Sequence, residues 1–143
     1  MTVKKNCDKI NGLMTIEKKE MINTAEDTLK KGEELFDAGD YSSAVKYFEK
    51  SAQEGETNAF LRLADCFLYG KGVKTDKGKA FNLYTQAAQE GNAEAQYILS
   101  LWYSDGINQP ADLQKALFWC FKALQQGHSE AADYFLQLKG EDV

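Results

Sequence analysis

The residues able to do chemistry are few and scattered. Three thiols (Cys7, Cys66, Cys120) and one imidazole (His128) are all the chain offers as soft ligands or near-neutral titrating groups. A structural zinc site needs four Cys or His ligands grouped in close pairs, and these four residues show no such spacing. One histidine could serve a Cys–His or Ser–His nucleophilic pair, but nothing near it supplies the third, orienting member. Gly70-Lys71-Gly72 has a faint look of a phosphate loop. It lacks the preceding strand and the further Gly, Lys and Ser/Thr of that motif, and reads as a turn. No catalytic residue, metal site or cofactor is expected. Cys66 and Cys120 read as small apolar core residues. An odd thiol count without an export signal reads as reduced cysteines in the cytoplasm.

Charge narrows the partners further. The net charge is -5, unevenly spread. The first 24 residues hold five of the 17 Lys and Arg against three of the 22 Asp and Glu; residues 25–143 therefore hold twelve against nineteen. An acidic body is a poor match for a phosphate backbone, so nucleic acid is not expected as partner. No stretch approaches the roughly 18 consecutive apolar residues of a membrane span, so a membrane is not expected either. Residues 1–23 read as a polar, lysine-rich leader, partly disordered or a short helix, ahead of a helical domain over 24–143.

Those residues must be positioned by a repeating element. KAFNLYTQAAQEGNAEAQYILSLWYSDG (Lys79 to Gly106) recurs 36 residues upstream from Ser43 to Gly70 and 36 downstream from Lys115 to Gly140. A period of this size signals stacked supersecondary units. Abundant Ala, a single proline and the absence of β-branched runs make those units helical. Thr24 is placed to cap the first helix, with Asp27 three residues on. That helix runs to Ala38, and a second spans Tyr41 to Glu54, closed by Gly55. Asp76 and Asp112 read as caps of later helices.

AEDTLKKGEELFDAGDYSSAVKYFEKSAQEG resembles a tetratricopeptide repeat, through Gly32, Leu35, Gly39-Asp40-Tyr41, Ala44, Phe48 and Ser51. Thr28 and Lys31 depart from its preference for bulky apolar residues. The next two units, Thr57 to Asn92 and Ala93 to His128, carry a longer loop inside the hairpin, GKGVKTD and GINQPAD. They are similar to the Sel1-like branch of the tetratricopeptide superfamily. The first matches through Ala59, Leu63, Ala64, Phe67, Gly70, Gly72, Val73, Asp76, Lys79, Ala80, Tyr84, Ala87, Ala88 and Gly91. The second matches through Ala95, Leu99, Ser100, Tyr103, Gly106, Asp112, Lys115, Ala116, Trp119, Ala123 and Gly127, and departs at Asn108, Gln109 and Cys120. The resemblance implies an all-α, right-handed α-α solenoid: repeats over 25–56, 57–92 and 93–128, then a capping helix over 129–138. It gives His128 a packing and capping role, and for function it implies an interaction scaffold.

In such solenoids the first helix of each hairpin lines the concave face. Carried over by repeat phase, that face takes Glu26, Leu29, Glu33, Phe36 and Asp37; Asn58, Leu61, Asp65, Leu68 and Tyr69; Glu94, Tyr97, Leu101, Ser104 and Asp105; and Glu130, Asp133 and Gln137. This set has eight carboxylates, no Lys and no Arg. The expected function is a non-enzymatic adaptor whose concave face binds a basic, amphipathic peptide or helix of another protein, with aromatic and leucine anchors supplying energy and carboxylates supplying selection. The protein's own lysine-rich leader is one candidate occupant. Two alternatives are a small hydrolase using an unrecognised site, and a subunit that self-associates weakly through its apolar ends.

Overall fold

A computed structural model describes residues 24–140; the lysine-rich leader expected over 1–23 lies outside them. The described residues form seven helices and no strand: α1 (24–37), α2 (Tyr41–Gln53), α3 (Thr57–Tyr69), α4 (Lys77–Gln89), α5 (Ala93–Asp105), α6 (Leu113–Gln125) and α7 (Ser129–Lys139). Helices α1–α2, α3–α4 and α5–α6 make three hairpins, and α7 closes the stack. From α2 onward each helix packs on its sequence neighbour, so this is an all-α repeat solenoid. Among the described residues no helix is long and apolar enough to cross a membrane.

The helix starts follow from side-chain capping. Asp40, Asp76 and Asp112 each accept the backbone N–H three residues on, from Ser43, Lys79 and Lys115. Asn92 does the same for Ala95 at the head of α5. Each carboxylate or amide oxygen satisfies a donor that has no partner inside its helix. Thr24 opens α1, and its carbonyl accepts the Thr28 hydroxyl at 2.6 Å.

Both long loops fold alike despite different sequences. Gly72 sits at φ 75°, and its position in the next repeat, Asn108, sits at φ 67°. Asn is among the few residues that tolerate this left-handed region, because its short side chain can bond locally. The backbone bonds match as well, Asp76 N to Phe67 O and Asp112 N to Tyr103 O, at 2.9 and 2.8 Å. The departures at Asn108 and Gln109 therefore leave the loop's shape intact. In place of Val73, Gln109 turns its amide nitrogen onto the Trp102 carbonyl at 3.4 Å. The first of these loops also touches the first hairpin. A Cβ at Gly72 would collide with the Tyr41 carbonyl, and the Lys71 ammonium lies 4.9 Å from the Tyr41 ring centre.

The core is built from small residues at the helix crossings and rings between them. Ala64, Ala80, Ala87, Ala88, Ala95 and Leu99 are buried around Tyr84 and Trp102, whose rings meet edge-to-face at 5.6 Å. A second cluster places Ala44, Val45, Phe48, Leu63 and Cys66 under α1. The α1–α2 crossing is close enough that a Cβ on Gly32 would stand 2.7 Å from the Phe48 ring. The buried polar residues of the first hairpin are satisfied. Thr28 bonds to Thr24, and Ser51 Oγ donates to the Ala25 carbonyl at 2.6 Å, tying α2 to α1. Cys66 and Cys120 are fully buried. Burial pushes the Cys66 thiol up to about 11 and raises that of Cys120, so both are inert core atoms.

Candidate partner-binding groove

Residues four and seven apart on a helix share a face, so Asn58, Leu61, Asp65 and Tyr69 fall along one side of α3, opposite Glu33, Phe36 and Asp37 of α1. The fold brings them together. A cleft of about 330 Å³ between α1 and α3 is lined by Glu33, Phe36, Asp37, Phe48, Arg62, Asp65 and Tyr69. A wider one continues along the first helices past Leu29, Asn58, Leu61, Arg62 and Asp65 to Glu94 and Ile98 of α5.

Within that face the side chains divide by burial. Leu61 is only 9% exposed and forms part of the core floor. Leu68 and Leu101 pack against the same central cluster, half-buried. Phe36 is held by Tyr41 and Phe48 at ring distances of 4.8 and 6.3 Å. Tyr69 is different: at 69% exposure it is an aromatic side chain standing in solvent at the cleft's rim. Asp37, Asp105 and Asp133 are also exposed.

One cation enters the cleft that the repeat-phase list did not include. Arg62 Nε donates to Glu33 Oε1 at 2.9 Å, so the face is not free of basic residues. The signal was present in the sequence: Arg62 lies four residues after Asn58 and three before Asp65, on the same helical stripe. Both partners are well exposed, and such a pair adds about 0–1 kcal/mol to stability. Its consequence is electrostatic: Glu33 is paired, and Asp37 and Asp65 are left as the cleft carboxylates without an ion-pair contact of their own.

Asp65 is the carboxylate with an unusual setting. Burial is the main cause that raises its carboxyl above the ordinary 3.8; a hydrogen bond from Tyr84 and the charge of Arg62 act the other way. Tyr84 belongs to α4, on the packed outer layer, and is 1% exposed. Its hydroxyl passes between the layers and donates to Asp65 Oδ1. Burial, and then this bond, push the phenol upward as well. This link across the hairpin carries no periodic signature, because Phe48 and Cys120 occupy the corresponding places in the neighbouring repeats.

Where α5 meets α7 lies a ring cluster. Tyr97 stacks on His128 with centroids 4.6 Å apart, and Tyr134 meets Tyr97 edge-on at 5.8 Å. The His128 side chain is one-tenth exposed; its Nε2 lies 2.7 Å from Glu94 Oε2, while Nδ1 stands 3.4 Å from Glu130 without a hydrogen bond. Glu130 accepts the Ser129 hydroxyl, the main cause holding its carboxyl below the ordinary value. His128 thus packs as expected but its side chain does not cap α7. It reaches back to the preceding repeat, as Asn92 reaches Asn58 at 3.0 Å one unit earlier. Among the described residues no group of three or more His, Cys, Asp and Glu is placed to hold a metal ion.

The sequence profile of the Sel1 repeat matches residues 31–56, 59–92 and 93–128. Two solved structures are similar. One is c5321, described as a protective antigen present in uropathogenic Escherichia coli strains displaying an SLR fold: 26% identity, TM-score 0.74, over 84% of this chain and 27% of that one. The other is a Sel1 repeat protein from Oxalobacter formigenes: 31% identity, TM-score 0.70, over 76% of this chain and 46% of that one. The chain therefore spans less than half the length of either. No curated protein matches it significantly.

Proposed function

The chain belongs to the Sel1 repeat family, whose members generally mediate protein–protein interactions, and on that premise we propose that it is a non-enzymatic adaptor binding a basic, amphipathic peptide or helix of a partner protein on its concave face. The observation that carries this reading is the α1–α3 cleft, where carboxylates, half-buried aromatic floor and the exposed Tyr69 ring converge and the one cation is already taken by Glu33. Aromatic anchors supply most interface energy, and surrounding charge selects the partner and speeds its approach.

The test is binding of the full chain to an unbiased peptide array at low salt and at about 0.5 M salt, where the screening length falls to a few ångströms. Basic peptides with apolar residues at helical spacing should be enriched and should weaken in salt. Tyr69→Ala should reduce binding, whereas Asn82→Ala on the outer layer should not. No enrichment, or equal effects of the two substitutions, refutes the reading. Leu61 and Tyr97 are unsuitable probes, because one is core and the other is stacked on His128.

A second reading rests on the outer layer. Leu113, Phe118 and Phe121 of α6 are 53, 52 and 46% exposed, which favours self-association through the last hairpin. Light scattering on the eluting peak decides it: a strict monomer at high concentration removes this reading.

A further inference from the structure

We infer that the α1–α3 cleft is a receptor for one guanidinium, an arginine side chain of the partner segment, seated between Asp65 and Asp37 and covered by the Tyr69 ring. This rests on the concave-face reading above and names the group that would be recognised there.

Three observations converge. The first is size: a cavity of about 330 Å³ stands at the lower bound of small-ligand sites and suits a single side chain. The second is charge that the fold does not balance. Asp65 is pulled out of water and among the described residues accepts only one hydrogen bond, from Tyr84 at Oδ1. A half-buried carboxylate in that state is stabilised by an incoming cation; Arg62 acts on Asp65 only through its charge, its Nε donating to Glu33, so no guanidinium N–H bonds Asp65. The protein's own guanidinium, already lying in the cleft, shows that this chemistry fits the walls. The third is the uncovered ring. Tyr69 makes no ring contact with any described residue, although Phe36 beside it is packed on two neighbours. A planar, weakly hydrated guanidinium can lie against such a ring while its edge donates two bonds to a carboxylate; an ammonium supplies neither the plane nor the fork.

The experiment is a titration of the full chain, labelled with nitrogen-15, with N-acetyl-arginine amide, and separately with the lysine and norleucine analogues. Arginine amide should shift the amide signals of Asp37, Asp65 and Tyr69 with a millimolar dissociation constant. Lysine amide should bind at least about three-fold more weakly, and norleucine amide should leave these signals unmoved. Tyr69→Ala and Asp65→Asn should each weaken the arginine titration about five-fold or more, with signals from α5–α7 unchanged as the control for folding. Equal response to arginine and norleucine, or arginine shifts spread evenly over the acidic surface, overturns the inference. The peptide array separates this from the broader reading. Basic peptides that bind equally well after every arginine is replaced by norleucine sink the guanidinium receptor and leave the adaptor intact. A cleft that binds arginine amide on a protein that binds no peptide does the reverse.

Discussion

Replacing Tyr84 by Phe isolates the side-chain bond by which α4 of the packed outer layer reaches Asp65 of α3. The ring is 1% exposed and held against Trp102, so the substitution keeps the packing and removes only the hydroxyl. What is lost is a hydrogen bond to a carboxylate, which contributes about 1.5–3 kcal/mol when fully buried. Asp65 is half-buried and can recover part of this from water, so we expect a loss of about 1–2 kcal/mol. With a urea slope of about 1.5–2 kcal/mol/M for a domain of this size, the unfolding midpoint should fall by roughly 0.5–1.3 M at unchanged slope. Circular dichroism at the helix band follows the transition. In an Asp65→Ala background the acceptor is absent, and Tyr84→Phe should then cost only a few tenths of a kcal/mol. A midpoint shift below about 0.2 M, or the same cost in both backgrounds, would show that the layers are not coupled through this bond. Asp65→Asn adds the pH arm. The native carboxyl is raised above 3.8 by burial, so its favourable contribution is fully present below 3.8 and is lost as pH rises through the raised value. Asn does not titrate. The variant's stability relative to the natural protein should therefore be greatest near neutral pH and decline towards pH 3, while its binding of cations is impaired throughout the neutral range. A variant that loses stability most at neutral pH refutes this.

Two other substitutions probe the local rules. Gly32→Ala gains about 1 kcal/mol of helix propensity, but its methyl would press on the Phe48 ring, an overpacking cost of about 1–3 kcal/mol. The expected net result is a melting temperature several degrees lower, read by thermal denaturation; a rise would mean the crossing can open without penalty. At φ 67°, Asn108→Gly should be nearly neutral and Asn108→Val should cost about 1–2 kcal/mol, checked by the same melts. Equal effects would show that the loop backbone adjusts.

The 36-residue period, the glycine stops and the aspartate caps were legible in the chain because each is a local rule. A left-handed turn needs Gly or Asn, a helix start needs an acceptor, and a close crossing needs Gly or Ala. Together these determined helices, hairpins and their stacking; Cys66 and Cys120, read as small apolar core residues, are buried in that core. Which helical stripe would line a concave face was implied by the resemblance to tetratricopeptide-like solenoids. What that stripe contains was not. Arg62 lies on it, yet only the tertiary structure puts its guanidinium on Glu33, because the pairing joins two helices 29 residues apart. Tyr84 reads as outer-layer core from its spacing, and its ring is; its hydroxyl reaches Asp65 only because α3 and α4 cross closely there. Leu61 and Tyr69 occupy equivalent-looking apolar places on α3, but one forms floor and the other stands free. Burial depends on what arrives from distant parts of the chain, and helical periodicity specifies direction without specifying what lies in that direction. The sequence thus determined the scaffold, while the packing of separate repeats decided which side chains of the first helices are buried and which stay exposed.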